Sequence, residues 1–347
     1  MRMMSSTSTE TRISRRCNRN QASDILMRGI FAAFALSLLV VASPAPAQEN
    51  WPQRQVTIVV PFAAGGSADL IARVLQQHLQ AKTGVPIVVE NKSGAGGSIG
   101  AGYVAKAPAD GYTLLLGTVS TNAINAFLYS RLSFDVGRDF QAVSLLVRFP
   151  NILIVNPRIP VKTTPELIAY LKAHDGQLNY GSSGIGTSSH LSVVMFALAT
   201  GTKMTHIPFR STAAEVNNMI GGQIDLAIDS MTTIWPFAQA GTVRALAVST
   251  PQRTASAPDL PTIGETLPGY EATGWQGLFA PAATPRATID AIAAQLDQIW
   301  KSPDVIKALQ AVGAEPVTTT PDDFTAYTKT ERAKWGEVVR AAGVKID

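Results

Sequence analysis

Short apolar runs alternate along the chain with longer segments whose apolar positions recur every three to four residues, the pattern of an α/β protein. Residues 55–61 (QVTIVVP) read as a buried strand. It runs into Ala63-Ala64-Gly65-Gly66-Ser67 and a helix over about 69–81, with Leu70, Ile71, Val74, Leu75 and Leu79 as its apolar positions. Further strands are predicted at 87–90, 113–117 and 151–155, with 91–100 as a loop. A second set follows: a helix over 165–173 with Thr164 as N-cap and Pro165 at its first position, a strand at 179–181, the loop 182–189, a helix over about 190–199, and strands at 226–228 and 244–249. Three helices close the chain at 285–300, 303–312 and 321–342. The last has Thr320 as N-cap, Pro321 at N1, Asp322 and Asp323 in its first turn and Gly343 just past its end. Trp300 and Trp335 are expected in the core.

The early and late βα units suggest two lobes with a cleft between them. A Pro-rich stretch at 156–160 and a Gly-rich return at 269–277 mark the crossings. The lobes are read as 48–150, rejoined by 273–347, and 151–272. The N-terminus reads as an address. The apolar run over 30–42 is too short for a bilayer, which takes about 20 residues. It is preceded by arginines and followed by Ala45-Pro46-Ala47, so 1–47 has the three parts of a secretory signal peptide, with cleavage after Ala47. Met27 is an alternative start.

Composition gains meaning once this segment is set aside. Without 1–47, Lys+Arg falls from 29 to 23 and Asp+Glu from 25 to 23, so the formal charge of +4 belongs to the leader. A near-neutral mature chain gives no electrostatic footing for nucleic acid. The single cysteine, Cys17, leaves with the leader, which excludes a disulfide framework and a Cys-cluster metal site, and four histidines make a His-rich site unexpected. No metal and no cofactor is expected.

Three loops carry candidate chemistry. Residues 62–69 join a strand to a helix N-terminus, a geometry suited to anions, but lack the Gly-Lys-Ser/Thr of a phosphate loop. The second cluster, 94–100, has the spacing G-x-G-x-x-x-G and misses the dinucleotide fingerprint by one residue. Read alone, each is a tight turn first and a ligand cradle second. The third, 180–190 (YGSSGIGTSSH), is rich in hydroxyls and opens a helix; hydroxyls and free N–H groups can surround a carboxylate without a full positive charge. Neither Ser182 nor Ser183 sits in G-x-S-x-G, and no nucleophile is placed beside His190, which reads first as a helix-start hydrogen bonder. Arg210 faces an anionic ligand or solvent, Asp229 lines a cleft or caps a turn, and Asp225 reads as structural. A secreted two-lobed chain without a catalytic constellation points to a ligand catcher.

Several motifs then carry a family resemblance. Pro61-Phe62-x-x-Gly65-Gly66-x-x-Asp69 with Ala72-Arg73 is followed by Val89-Glu90-Asn91-x-x-Gly94-Ala95-Gly96-Gly97-x-Ile99-Gly100, Asp110-Gly111-Tyr112-Thr113-Leu114 and Ala123-Ile124-Asn125. Tyr180-Gly181-Ser182-Ser183-Gly184, Gly221-Gly222-Gln223-Ile224-Asp225 and Arg244-Ala245-Leu246-Ala247-Val248 continue the series. The chain resembles the Bug (TctC-like) extracytoplasmic solute receptors of tripartite tricarboxylate transporters. The resemblance implies a type II periplasmic-binding-protein fold, a periplasmic location, a small organic acid as ligand, membrane transporter subunits as partners and a monomeric, non-enzymatic protein. It also implies a first-lobe ligand loop of Phe62, Ala64, Gly65, Gly66 and Asp69. The second-lobe carboxylate site would be Ser182, Ser183, Thr187 and His190, with Thr121 and Asn125 from an earlier loop and Arg210 and Asp229 setting specificity. Ala63-Ala64 where the family usually has Pro-Pro, Ala126 where Pro is common, and Arg210-Ser211 where Lys-Gly is frequent leave the ligand's identity open. A periplasmic sensor with the same pocket, or a secreted hydrolase or transferase using His190 or Asp69, are the rival readings.

Overall fold

The structure, a computed structural model, describes residues 51–346. The segment 1–47 that the sequence predicts as a leader, with Cys17, lies outside the described residues. In chain order the strands are β1 (Val56–Val60), β2 (Ile87–Asn91), β3 (Thr113–Thr118), β4 (Phe140–Phe149), β5 (Asn151–Val155), β6 (Asn179–Ser182), β7 (Thr205–Pro208), β8 (Leu226–Ser230), β9 (Arg244–Val248), β10 (Gly274–Pro281) and β11 (Glu315–Pro316). They form two mixed sheets, β11-β4-β10-β3-β1-β2 and β7-β6-β8-β5-β9, the two-lobed α/β arrangement that the sequence pattern predicts.

The helices are α1 (Ser67–Thr83), α2 (Ser98–Ala105), α3 (Asn125–Leu128), α4 (Thr164–Ala173), α5 (Ser188–Thr200), α6 (Thr212–Ile220), α7 (Met231–Gln239), α8 (Arg286–Trp300), α9 (Pro303–Ala311) and α10 (Pro321–Ala342). β1 is apolar throughout because both its faces are covered. Ile58 stands opposite Val89 and Leu114 in its parallel neighbours, and packs with Ile71, Leu75 and Leu79 of α1. Val59 turns to the other face, into a core that continues through Leu153 and Phe196 of the second lobe and takes in Trp335 of α10. Trp300 and Trp335 are both buried, as expected.

The chain changes sheets in one residue, Pro150, between β4 and β5; the stretch 156–160 lies beyond β5. The return passes Ser249 and Ala272. These crossings are tied together: Asn151 N–H donates to Ser249 Oγ (2.9 Å), Asn151 Nδ2 to the Ala272 carbonyl (2.8 Å) and Ser249 Oγ to the same carbonyl (2.8 Å). Such a bonded knot of short segments is a suitable pivot for closure of one lobe on the other.

Sequence and structure part at several elements. Thr163, not Thr164, caps α4, its side chain accepting from Glu166 N–H. The predicted loop over 91–100 contains a tight turn at Ala95–Gly97 and the start of α2. β10 (GWQGLFAP) looks like a loop because of its glycines and proline. The glycines are there for room: a Cβ on Gly274 would run into the Phe149 ring, and one on Gly277 into the Phe324 ring. α7 escapes detection because Pro236 lies inside it.

Candidate functional site

Four helix N-termini converge where the sheets meet. α1 starts at Gly66-Ser67, α5 at Ser188, α6 at Ser211-Thr212 and α7 at Ser230, and all of these residues line one cleft. Phe62, Ser120, Trp275 and Gln276 from the first lobe and Asn151, Ser183 and Asp229 from the second complete much of the wall around a narrow cavity of about 40 Å³. Helix N-termini present backbone N–H groups and the positive end of the helix dipole. The Gly66 and Ser230 caps make no side-chain capping bond. The rest of the lining is hydroxyls, amides and apolar side chains such as Phe149 and Val119, with a single charged side chain, Asp229. Ser120 Oγ crosses from the first lobe to accept the Ser188 N–H at 3.1 Å, so the α5 N-terminus already holds an oxygen across the cleft.

The sequence-predicted residues fall into two groups. Phe62, Gly66, Ser183 and Asp229 line the cleft itself, and Arg210 lines an outer groove shared with Phe62, Ser183 and the 94–97 turn. The others lie behind the wall or beside it. Ala64 and Gly65 are exposed on the loop. Asp69 is buried and shapes that loop: its Oδ2 accepts from Gly65 N–H and Arg73 Nε, each at 3.0 Å, and its Oδ1 from Asn91 Nδ2 at 3.1 Å. Thr121 Oγ1 accepts the Thr118 N–H at 3.0 Å. Asn125 Nδ2 donates to the Gly96 carbonyl at 3.0 Å, fixing the glycine turn. Gly97 in that turn has φ +91°, and a Cβ there would stand 2.6 Å from Thr121 Cγ2, so only glycine lets the turn lie this close.

In the second lobe Thr187 caps α5, its side chain accepting from His190 N–H and donating to the Gly184 carbonyl at 2.8 Å. Ser183 N–H and Oγ both meet Ser189 Oγ, at 3.0 and 2.9 Å. Ser182, fully buried, pairs with His206 Nε2 at 2.6 Å. His190 accepts the Gly186 N–H on Nδ1 (3.2 Å) and stacks on His206 with ring centroids 4.1 Å apart. Burial holds His190 down to about 4, and burial together with His190 holds His206 down to about 3. Two neutral, weakly basic rings behind the wall are structural packing, and Ser182 is not presented to the cleft. Asp225 is an anchor, bonded to Arg158 at 2.7 Å and to Asn179 N–H at 2.8 Å.

Sequence reasoning missed Ser120, Ser188, Ser211, Ser230 and Gln276 as lining residues. Four are serines at or near turn and helix starts, a signal available from the pattern; Gln276 was hidden with β10.

The loop acid carries a pH-dependent prediction. Burial raises the Asp69 pKa, but bonds from Arg73, Gly65 and Asn91 outweigh it and leave the group below its ordinary value. A depressed folded-state pKa contributes stability that is present above the unfolded value and lost as pH falls through the folded one. Wild type is therefore expected to exceed Asp69→Asn in stability at neutral pH, with the gap closing below about pH 4. Paired urea melts across that range check this; a gap independent of pH contradicts it.

The comparisons with known proteins agree with one another. The model of the tripartite tricarboxylate transporter family receptors (TctC) matches residues 71–344. Protein BugT of Bordetella pertussis (strain Tohama I) is 34% identical over 320 residues, 92% of this chain and 97% of BugT. Rpa4515 of R. palustris, solved with adipate, superposes with a TM-score of 0.83 at 36% identity, covering 85% of this chain and 99% of that one. MatC (Rpa3494) from Rhodopseudomonas palustris, solved with bound malate, gives 0.79 at 32% identity, covering 83% and 100%. The family match runs through both lobes and the fold is shared over nearly the whole of each solved relative, so the chain belongs to the Bug (TctC-like) receptors of tripartite tricarboxylate transporters, periplasmic solute-binding proteins of the type II periplasmic-binding-protein fold.

Proposed function

We propose that the cleft captures one small organic acid and that closure of the lobes removes it from water before delivery to membrane transporter subunits. The observation that carries this reading is the convergence of four helix N-termini and their hydroxyls on a cleft lined by no Lys or Arg. Oriented N–H and O–H groups stabilise a carboxylate at little cost in reorganisation, and charge-assisted bonds are the stronger kind. The adipate and malate carried by Rpa4515 and MatC support the same ligand class. The lobes are 48–150 with 273–347, and 151–272, working as a monomer after removal of a leader at Ala47.

Ser183 touches the carboxylate in this account, and Thr187 shapes the loop around it with Ser182 and His190. Phe62 and Gly66 close from the first lobe, on a loop carrying Ala64 and Gly65 and held by Asp69, while Thr121 and Asn125 fix the adjoining turn. Arg210 stands at the mouth. Ser183→Ala is expected to weaken carboxylate binding by about 1.5–3 kcal/mol, the worth of a bond to a charged group, without unfolding the protein. Thr187→Ala is expected to weaken it too and to cost about 1 kcal/mol of stability through the lost cap. Calorimetric titration with dicarboxylates checks both; unchanged affinity in the two variants contradicts the assignment.

A further inference from the structure

The cleft holds an acid with no cation beside it. Asp229, near the end of β8, is 4% exposed and lines the cleft. Its Oδ1 accepts the Ser230 N–H at 2.6 Å and its Oδ2 the Thr212 hydroxyl at 3.3 Å. No Lys, Arg or His lines this cleft, and Arg210 is in the outer groove. Behind Asp229 lies Glu215 of α6, fully buried, with neither carboxyl oxygen bonded to a donor. Gly181 makes room for it, since a Cβ there would stand 2.8 Å from Glu215 Cγ. Burial first, then the neighbouring Asp229, push Glu215 far above its ordinary value, so Glu215 stands neutral against Asp229.

The opposite lobe offers an acceptor that has no donor. Gln276, 1% exposed, lines the same cleft; its Nε2 donates to Ser67 Oγ at 3.0 Å, while its buried Oε1 has no donor. A buried acceptor without a donor is costly, and a closing cleft leaves the ligand as the source of one for Gln276, while the Asp229 carboxylate has lone pairs for a further bond beside those from Ser230 and Thr212. A second ionised carboxylate placed there would instead meet a like charge with no cation to offset it.

We infer that Asp229 is the specificity-determining residue of the cleft, selecting acids that bring one carboxylate and, at the far end, a proton-bearing N–H or O–H group for Asp229 and Gln276. This rests on the carboxylate-capture reading. A dicarboxylic acid meets the requirement only with its far carboxyl protonated.

The test is calorimetric titration at pH 8 of wild type and Asp229→Asn with two matched pairs, succinate with its monoamide and adipate with its monoamide. Wild type is expected to bind at least one monoamide ten-fold or more tighter than the matching diacid, and Asp229→Asn to shrink that ratio at least ten-fold. Wild type binding the diacids as tightly as the monoamides overturns the inference while leaving carboxylate capture standing, and so does a ratio unchanged in Asp229→Asn. If no member of either pair binds wild type, the capture reading falls and this inference with it.

Discussion

Trp275→Ala is expected to lower the unfolding free energy by about 3–5 kcal/mol, the range for emptying a buried tryptophan site. Trp275 is fully buried on β10 and packs edge-on against Phe324 (5.8 Å between centroids) and Tyr327 (5.7 Å), both on α10. Its Nε1 donates to Glu331 Oε2 at 2.8 Å, and Trp335 Nε1 donates to the same oxygen at 3.1 Å. Truncation therefore opens a void between the first sheet and α10 and takes one of two donors from a buried carboxylate. Trp275→Phe keeps part of the packing and loses the same donor, so its cost should be smaller, near the 1–3 kcal/mol of an under-satisfied group. Urea unfolding of both variants measures this; a cost below about 1 kcal/mol for Trp275→Ala contradicts the role.

Ser188→Asp should leave the fold intact and remove carboxylate binding, by about 100-fold or more, equivalent to about 2.7 kcal/mol. Ser188 is the first residue of α5 and lines the cleft. A side-chain carboxylate there occupies the positive helix end that the ligand needs and repels an incoming anion in a poorly hydrated space. The same charge suits the helix, so stability should hold or rise by about 0.3–1 kcal/mol. Ser188→Asn has similar size without the charge and is expected to lose less than about ten-fold. Titration and thermal melting together separate the two effects. Equal losses in Asp and Asn variants point to crowding, and retained binding in Ser188→Asp means that the carboxylate sits elsewhere.

Much of this architecture is legible in the amino-acid sequence. Regular elements with strong caps came through well: α10 runs from Pro321 to Ala342 with Thr320 capping and Gly343 at φ +63° ending it, as its residues specify. Elements whose residues serve a tertiary need did not. β10 carries glycines because phenylalanines fill their space, and α7 tolerates Pro236 within one short helix. The site divided in the same way. The loops were visible as Gly- and Ser-rich stretches, but side chains facing the cleft could not be told from those behind it. Asp69, Asn125 and Thr187 shape the walls through local bonds, whereas Ser120, Ser188 and Gln276 reach the space itself. Which of two adjacent hydroxyls faces a cleft depends on where the opposite lobe lies, and that is set by the single-residue crossing at Pro150 and the Asn151–Ser249–Ala272 knot.

Whether this cleft takes a small carboxylate is decided by thermal melting of the purified protein against a panel of organic acids, run beside Ser188→Asp. A ligand present at 100 times its Kd stabilises the folded state by about 2.7 kcal/mol. Wild type is expected to show a clear rise in Tm with at least one carboxylate, and Ser188→Asp none. A wild-type chain that no carboxylate stabilises, or a rise of equal size in the variant, contradicts it.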